Sequence, residues 1–315
     1  MPQRLVVGAG WIGGELVRRL AAGGDEVTVA SRSGTVVAGA IARVLDAADP
    51  VAFALAAERM DTIFLCANPP YTDWARRWPP IYAAAIAAAT LTHARLVVMG
   101  NLYPYGSPAG PMTEHSPENP VDSKGMIRRE GWQRVLAAHR DGEIQAVEVR
   151  ASDYFGPGIR GTSHLGEAFF RSVLASKKAR VIGRPGVLHS WSYLPDIVAT
   201  LVAAAGYPGD WGRIWHVPSD AYSRTEIAGQ LNQRYGSHGR VAGVPGLLLR
   251  LAGTVSPLAR EVYRSSYQFQ VPFVIASAET ERELGVAATP WADALVAVAE
   301  SYRSESAAGG LPVSD

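Results

Sequence analysis

Arg4-Leu5-Val6-Val7-Gly8-Ala9-Gly10-Trp11-Ile12-Gly13-Gly14 decides how this chain folds. Leu5, Val6 and Val7 form an apolar run too short for a helix and suited to a strand buried on both faces. Gly8, Gly10 and Gly13 then give G-x-G-x-x-G, and Ile12, Leu16, Val17 and Leu20 follow at helical spacing. In a strand, turn and helix of this kind the first glycine permits the tight turn. The second leaves bare backbone for a pyrophosphate, and the third lets the helix sit close on the strand. The free N–H groups at the head of the helix then hold the phosphates. The stretch therefore predicts a dinucleotide cradle at Gly8, Gly10, Trp11, Ile12 and Gly13.

The 315 residues are 48% hydrophobic and 19% charged, with a formal net charge of +1. This is the composition of a globular protein with a large core. Basic residues cluster no further than pairs such as Arg18-Arg19, which gives no sign of a nucleic-acid or anionic-membrane partner. One cysteine, Cys66, excludes an intrachain disulfide and a cysteine metal cluster, and no paired His/Cys spacing argues for a metal. The apolar runs are far shorter than a membrane span, and a strand follows Met1 almost at once. A cytoplasmic protein is expected.

Beyond the first helix, strands are expected at Glu26–Ala30, near Ala42–Leu45, at Asp61–Ala67, Arg95–Met99 and Ile144–Arg150. Helices opened by Asp49-Pro50, at Ile81–Leu91 and from Lys124 through His139 alternate with them. Such alternation implies right-handed crossovers and a parallel sheet: an α/β, Rossmann-type, doubly wound fold. The second strand ends Ser31-Arg32-Ser33, where folds preferring NAD carry an acid about 20 residues past the glycines. A guanidinium with hydroxyls can pair with a 2′-phosphate, so NADP(H) is expected over NAD(H). Asp46 and the Cys66-Ala67-Asn68-Pro69-Pro70-Tyr71 loop follow strand ends, where the ligand of an open α/β sheet lies, so Asp46, Ala67 and Asn68 join the cofactor candidates.

Three further segments follow in order: Gly100-Asn101-Leu102-Tyr103-Pro104-Tyr105-Gly106, Ser123-Lys124, and Arg150-Ala151-Ser152-Asp153-Tyr154-Phe155-Gly156-Pro157-Gly158. Trp191-Ser192-Tyr193-Leu194-Pro195-Asp196-Ile197 comes after them. With these the chain resembles, over nearly its full length, the short-chain dehydrogenase/reductase superfamily in its extended NAD-dependent epimerase/dehydratase branch. That resemblance implies a nicotinamide cofactor, a small-molecule substrate and a homodimer formed through the helices at Ile81–Leu91 and Lys124–His139. It also implies an engine of Ser/Thr, Tyr and Lys in Tyr-x-x-x-Lys, the lysine lowering the tyrosine pKa for proton exchange at a carbinol or carbonyl.

Lys124 matches that lysine, but Pro120 stands where the tyrosine belongs and Asn101 where the Ser/Thr belongs. Tyr103 and Tyr105 are the candidate replacement acids. Asn101 is a candidate oxyanion-type donor, and Lys124 is expected to bond the cofactor ribose. Asp153, as anchor or base, with Tyr154 and His189 marks the substrate pocket. His115 and His164 receive no role.

The strict alternation loosens after Gly161. Helices are expected at His164–Leu174, at Asp196–Ala205 capped by Asp196, from the Ser223-Arg224-Thr225-Glu226 capping box through Tyr235, and from Thr289-Pro290-Trp291 to about Tyr302. Strands are expected at Ala179–Ile182, Ile214–Val217 and Arg240–Val244. The expected division is a dinucleotide-binding domain of 1–160 and 190–217, a smaller C-terminal α/β substrate region of 161–189 and 218–303, and a disordered tail of 304–315. Three readings follow. The first is an atypical NADP(H)-dependent oxidoreductase acting on a small carbonyl, imine or alcohol. The others are a sugar-nucleotide epimerase or dehydratase with a relocated acid/base, and a non-catalytic NADP(H) sensor.

Overall fold

The computed structural model describes residues 1–161 and 163–308. Its first half alternates β1 (Gln3–Val7), α1 (Trp11–Ala22), β2 (Glu26–Ser31), β3 (Ala40–Val44), α2 (Pro50–Ala57) and β4 (Thr62–Leu65). It continues with α3 (Trp74–Thr92), β5 (Arg95–Asn101), α4 (Ser123–Arg140) and β6 (Ala146–Ala151). The second half holds β7 (Asp153–Phe155), α5 (Glu167–Leu174), β8 (Lys178–Ile182), β9 (His189–Tyr193), α6 (Leu194–Ala205) and β10 (Ile214–His216). After these come β11 (Ala221–Tyr222), α7 (Arg224–Tyr235), β12 (Arg240–Val244), α8 (Gly246–Val255), α9 (Pro257–Arg264), α10 (Ala278–Leu284) and α11 (Trp291–Ala308).

Seven strands form one parallel sheet in the order β10-β6-β5-β4-β1-β2-β3. The strand order reverses between β1 and β4, and that switch point is where an open α/β sheet takes its ligand. The central strands are buried on both faces, as their apolar runs require. One face carries α2, α3 and α4 over Leu5, Ile63, Leu96 and Trp78; the other carries α1 and α6 over Val6, Phe64, Val97 and Leu201. A third core of Phe169, Phe170, Trp191, Leu231 and Val298 joins α5, α7, α11 and β8. The outer elements include the β11-β9-β7 sheet and the β12-β8 pair. Among the described residues no helix is long and apolar enough to cross a membrane.

Several boundaries differ from expectation for physical reasons. Helix α3 starts at Trp74, not Ile81, and runs through Pro79 and Pro80, because Trp74 and Trp78 are buried and hold the turn that the prolines weaken. Asp196 is no cap. Tyr193 occupies the N-cap of α6, while the Asp196 carboxylate accepts from Thr289 N (2.8 Å) and Thr289 Oγ1 (2.6 Å), tying down the approach to α11. Helix α5 begins only at Glu167, behind Gly166. The expected tail is helical as far as Ala308, and 309–315 lie outside the described residues. Ser223 and Glu226 form the expected capping box.

Candidate active site

Gly8, at φ +111°, turns the chain from β1, and a Cβ there would lie 2.6 Å from the Cys66 carbonyl carbon. A Cβ on Gly13 would meet Gly8 O at 1.8 Å, so α1 can approach β1 only with glycine at this position. Gly10 differs from both: a Cβ would meet nothing within 4 Å, and this open side faces a cleft. Gly10 is the N-cap of α1, with no side-chain cap and no acidic residue in the first turn, so the leading N–H groups remain available. The cradle fits a pyrophosphate.

That cleft, about 550 Å³, is walled by Val7–Gly10, Ala30–Ser33, Thr35 and Cys66–Pro69. Arg32 lines it and forms no ion pair among the described residues, while Ser31 Oγ and Ser33 Oγ are held in a turn by Thr35. Asp46 lies at the rim between Leu45 and Ala47, with Arg77 bound to its carboxylate. The Arg77 hydrogen bond holds the Asp46 carboxyl below the usual range.

Cys66, Ala67 and Asn68 also line a second, inner cavity of about 140 Å³ at the carboxyl ends of β4, β5 and β6. Its wall holds Ile12, Asn101, Tyr103, Asp153 and Tyr154, together with Tyr71, Arg128 and Gln268, which the sequence did not single out. The Tyr103 and Tyr71 hydroxyls are 2.7 Å apart. Burial pushes the Tyr71 phenol up to about 12 and Tyr103 well above its ordinary value. Asn101 Oδ1 accepts from Tyr103 N (3.1 Å), which leaves its amide N–H groups to donate.

Across the cavity, Asp153 Oδ2 lies 2.8 Å from His189 Nε2. Burial raises the Asp153 carboxyl, but the His189 hydrogen bond and the charges of His164, His189 and Arg224 outweigh it, leaving the group below its ordinary value. His189 itself is buried among Trp191, Phe269 and Phe273, and both its ring nitrogens face oxygens, those of Asp153 and Gln268. Among the described residues no group of acids, histidines and cysteine could hold a metal ion.

The match of residues 4–217 to the model of the NAD dependent epimerase/dehydratase family joins this geometry to a lineage. The chain belongs to that family. Membership makes it an enzyme with a nicotinamide dinucleotide as cofactor, and the sensor reading gives way. Among solved structures, UDP-glucose 4-epimerase from Thermotoga maritima, determined with UDP-glucose, superposes with a TM-score of 0.80 at 13% identity, covering 96% of this chain and 99% of that one. dTDP-glucose 4,6-dehydratase from Streptomyces venezuelae gives 0.77 at 20% identity, covering 98% of each. UDP-glucuronic acid 4-epimerase from Bacillus cereus, in complex with NAD, gives 0.77 at 15%, covering 96% and 99%. At these identities the likeness is one of fold. No curated protein matches the sequence.

Within this family member four expected site residues are placed elsewhere. Tyr105 does not line the cavity: its hydroxyl lies 2.7 Å from His216 Nε2 and its ring packs under Arg150. Lys124 lines neither space. Its ammonium is ion-paired to Glu261 of α9 and lies 5.0 Å from the centre of the Tyr71 ring. Trp11 is exposed and borders neither cavity, and His189 stands behind the wall of the inner one, against its lining residues Asp153, Gln268 and Phe273. Tyr71 was present in the quoted Pro69-Pro70-Tyr71 loop, but nothing in one dimension pairs it with Tyr103.

Proposed function

We propose that this chain is a sugar-nucleotide enzyme of the epimerase/dehydratase kind, in which the Tyr103–Tyr71 pair replaces the missing tyrosine. One observation carries the reading: a single cavity is lined by a hydrogen-bonded pair of phenols, the Asn101 amide and the Asp153 carboxylate. Proton donors and a proton acceptor thus converge on one space, and reversible proton exchange needs both. The dinucleotide, bound at the Gly8–Gly13 cradle, supplies hydride transfer at its nicotinamide. Tyr103 donates to and reclaims a proton from the substrate oxygen, with Tyr71 as the next hydroxyl and the Lys124 charge over the Tyr71 ring stabilising the anionic form. Asn101 donates to the same oxygen, and Asp153 takes the second proton.

Ser31, Arg32 and Ser33 at the cleft wall support NADP(H) over NAD(H). Titration with NADPH and NADH, read by nicotinamide fluorescence, tests this; tighter NADH binding refutes it. Incubating UDP-glucose and dTDP-glucose with cofactor and assaying for the 4-epimer or 4-keto product tests the substrate class. A second reading, a one-way reductase of a small carbonyl or imine, is favoured by the size of the cavity, which suits a single ring. A diphosphate would need cations, yet of the arginines in the second half Arg213 is bound to Glu279, and Arg184 and Arg240 line neither space. NADPH consumption with small carbonyls, and no 4-epimer or 4-keto product from sugar nucleotides, selects this second reading. A homodimer through α3 and α4 belongs to the proposal, and a monomeric mass by light scattering contradicts it.

A further inference from the structure

Helix α8 is mostly apolar, yet Gly253 is its only buried residue, and α9 buries none. The two form a hairpin that crosses closely at Gly253, where a Cβ would lie 3.1 Å from the Arg260 backbone and where Arg260 Nε donates to Gly253 O (3.0 Å). Leu247, Leu248, Leu251 and Val255 fall within about 100° of arc on α8. They are 67%, 55%, 56% and 86% exposed, and Leu258 continues the patch at the start of α9. A helix this short is not stable in water through propensity alone, and one with its apolar stripe outward is built to meet another phase.

Charge selects the occupant. Arg250, Arg260 and Arg264 carry the hairpin's positive charge, and its single acid, Glu261, is engaged by Lys124 and Arg264. A second copy of the same face would bring arginines against arginines with no free acid to meet them. An apolar stripe bordered by Arg250, on a hairpin whose net charge is positive, matches an anionic lipid surface, into whose headgroup layer such a helix sinks its apolar side. The formal whole-chain charge of +1 conceals this local excess. We infer that the α8–α9 hairpin docks on anionic bilayers. The docked face stands beside the catalytic site, because α9 supplies the Glu261 that holds Lys124.

Co-sedimentation of the full chain with vesicles of phosphatidylcholine alone, and of phosphatidylcholine mixed with phosphatidylglycerol, tests the inference. Each arginine near an anionic surface strengthens partition about fivefold, so with Arg264 paired to Glu261 the other two should make the mixed vesicles bind about 25-fold more tightly, an advantage lost in high salt. Leu247→Glu/Leu251→Glu should abolish binding while NADPH binding and circular dichroism stay unchanged. Arg250→Glu, which spares the apolar stripe, should weaken it if the double variant fails to fold. Equal or absent binding to the two vesicles overturns the inference. So does a fall in solution mass from dimer to monomer in the double variant without a change in vesicle binding, which assigns the face to a second copy.

Discussion

Tyr103→Phe removes the hydroxyl proposed to meet the substrate and keeps the ring that packs on Trp74. Its loss should lower kcat about 10²–10⁴-fold, the usual worth of a positioned acid, once a substrate is in hand. Tyr71→Phe removes the next hydroxyl in the pair and should cost less, about tenfold. Tyr105→Phe is the control: turnover should hold, while urea unfolding shows about 1 kcal/mol less stability from the lost bond to His216. Equal kcat in Tyr103→Phe and wild type would sink the proposed acid. The sequence made Asn101, Tyr103 and Asp153 legible because each lies at or just past the carboxyl end of β5 or β6, where this sheet collects its chemistry. Tyr71 and Glu261 were hidden, since they meet Tyr103 and Lys124 only through packing between segments distant in the chain.

At the scale of the element, the head of α1 separates binding from stability. Gly10→Ala places its methyl in open space at φ −74°, so the fold should be unchanged within about 0.5 kcal/mol. Dinucleotide affinity should still fall about tenfold or more, because the methyl occupies the approach of the phosphates. Gly13→Ala drives a methyl onto Gly8 O and should destabilise the fold by about 3 kcal/mol. Fluorescence titration and urea unfolding on the pair check both; parallel losses in the two variants would show that Gly10 is merely structural. The alternating half was readable because strands buried on both faces leave continuous apolar runs between amphipathic helices. The C-terminal elements were not. β7 and β11 are three and two residues long, too short for a period to register. Helices α8 and α9 turn apolar residues outward, against the rule by which a helix is recognised.

For the whole molecule, His216 joins parts that are far apart in sequence. It ends β10 at the edge of the central sheet, accepts at Nε2 from the Tyr105 hydroxyl, donates at Nδ1 to Ala276 O (3.1 Å), and donates its backbone N–H to Thr280 Oγ1 (2.9 Å). Burial pushes its pKa down to about 4 from an ordinary 6.5, so the folded protein holds it neutral. Between those values the unfolded chain takes up a proton that the native state refuses. Stability is therefore fully present above pH 6.5 and declines as pH falls to about 4, by up to about 3 kcal/mol. Asp153, whose folded pKa is depressed, adds its loss only below the ordinary carboxylate value of 3.8, in a separate window. Buried Glu148 is raised by burial and acts with the opposite sign. Both carboxylates are common to wild type and a His216→Gln variant, so the difference between their pH profiles isolates the histidine. Urea unfolding at about pH 7.5 and about pH 4.5 should show wild type losing more stability than the variant across this interval. The same loss in both proteins would mean that the buried ring does not couple the sheet edge to the segment leading into α10.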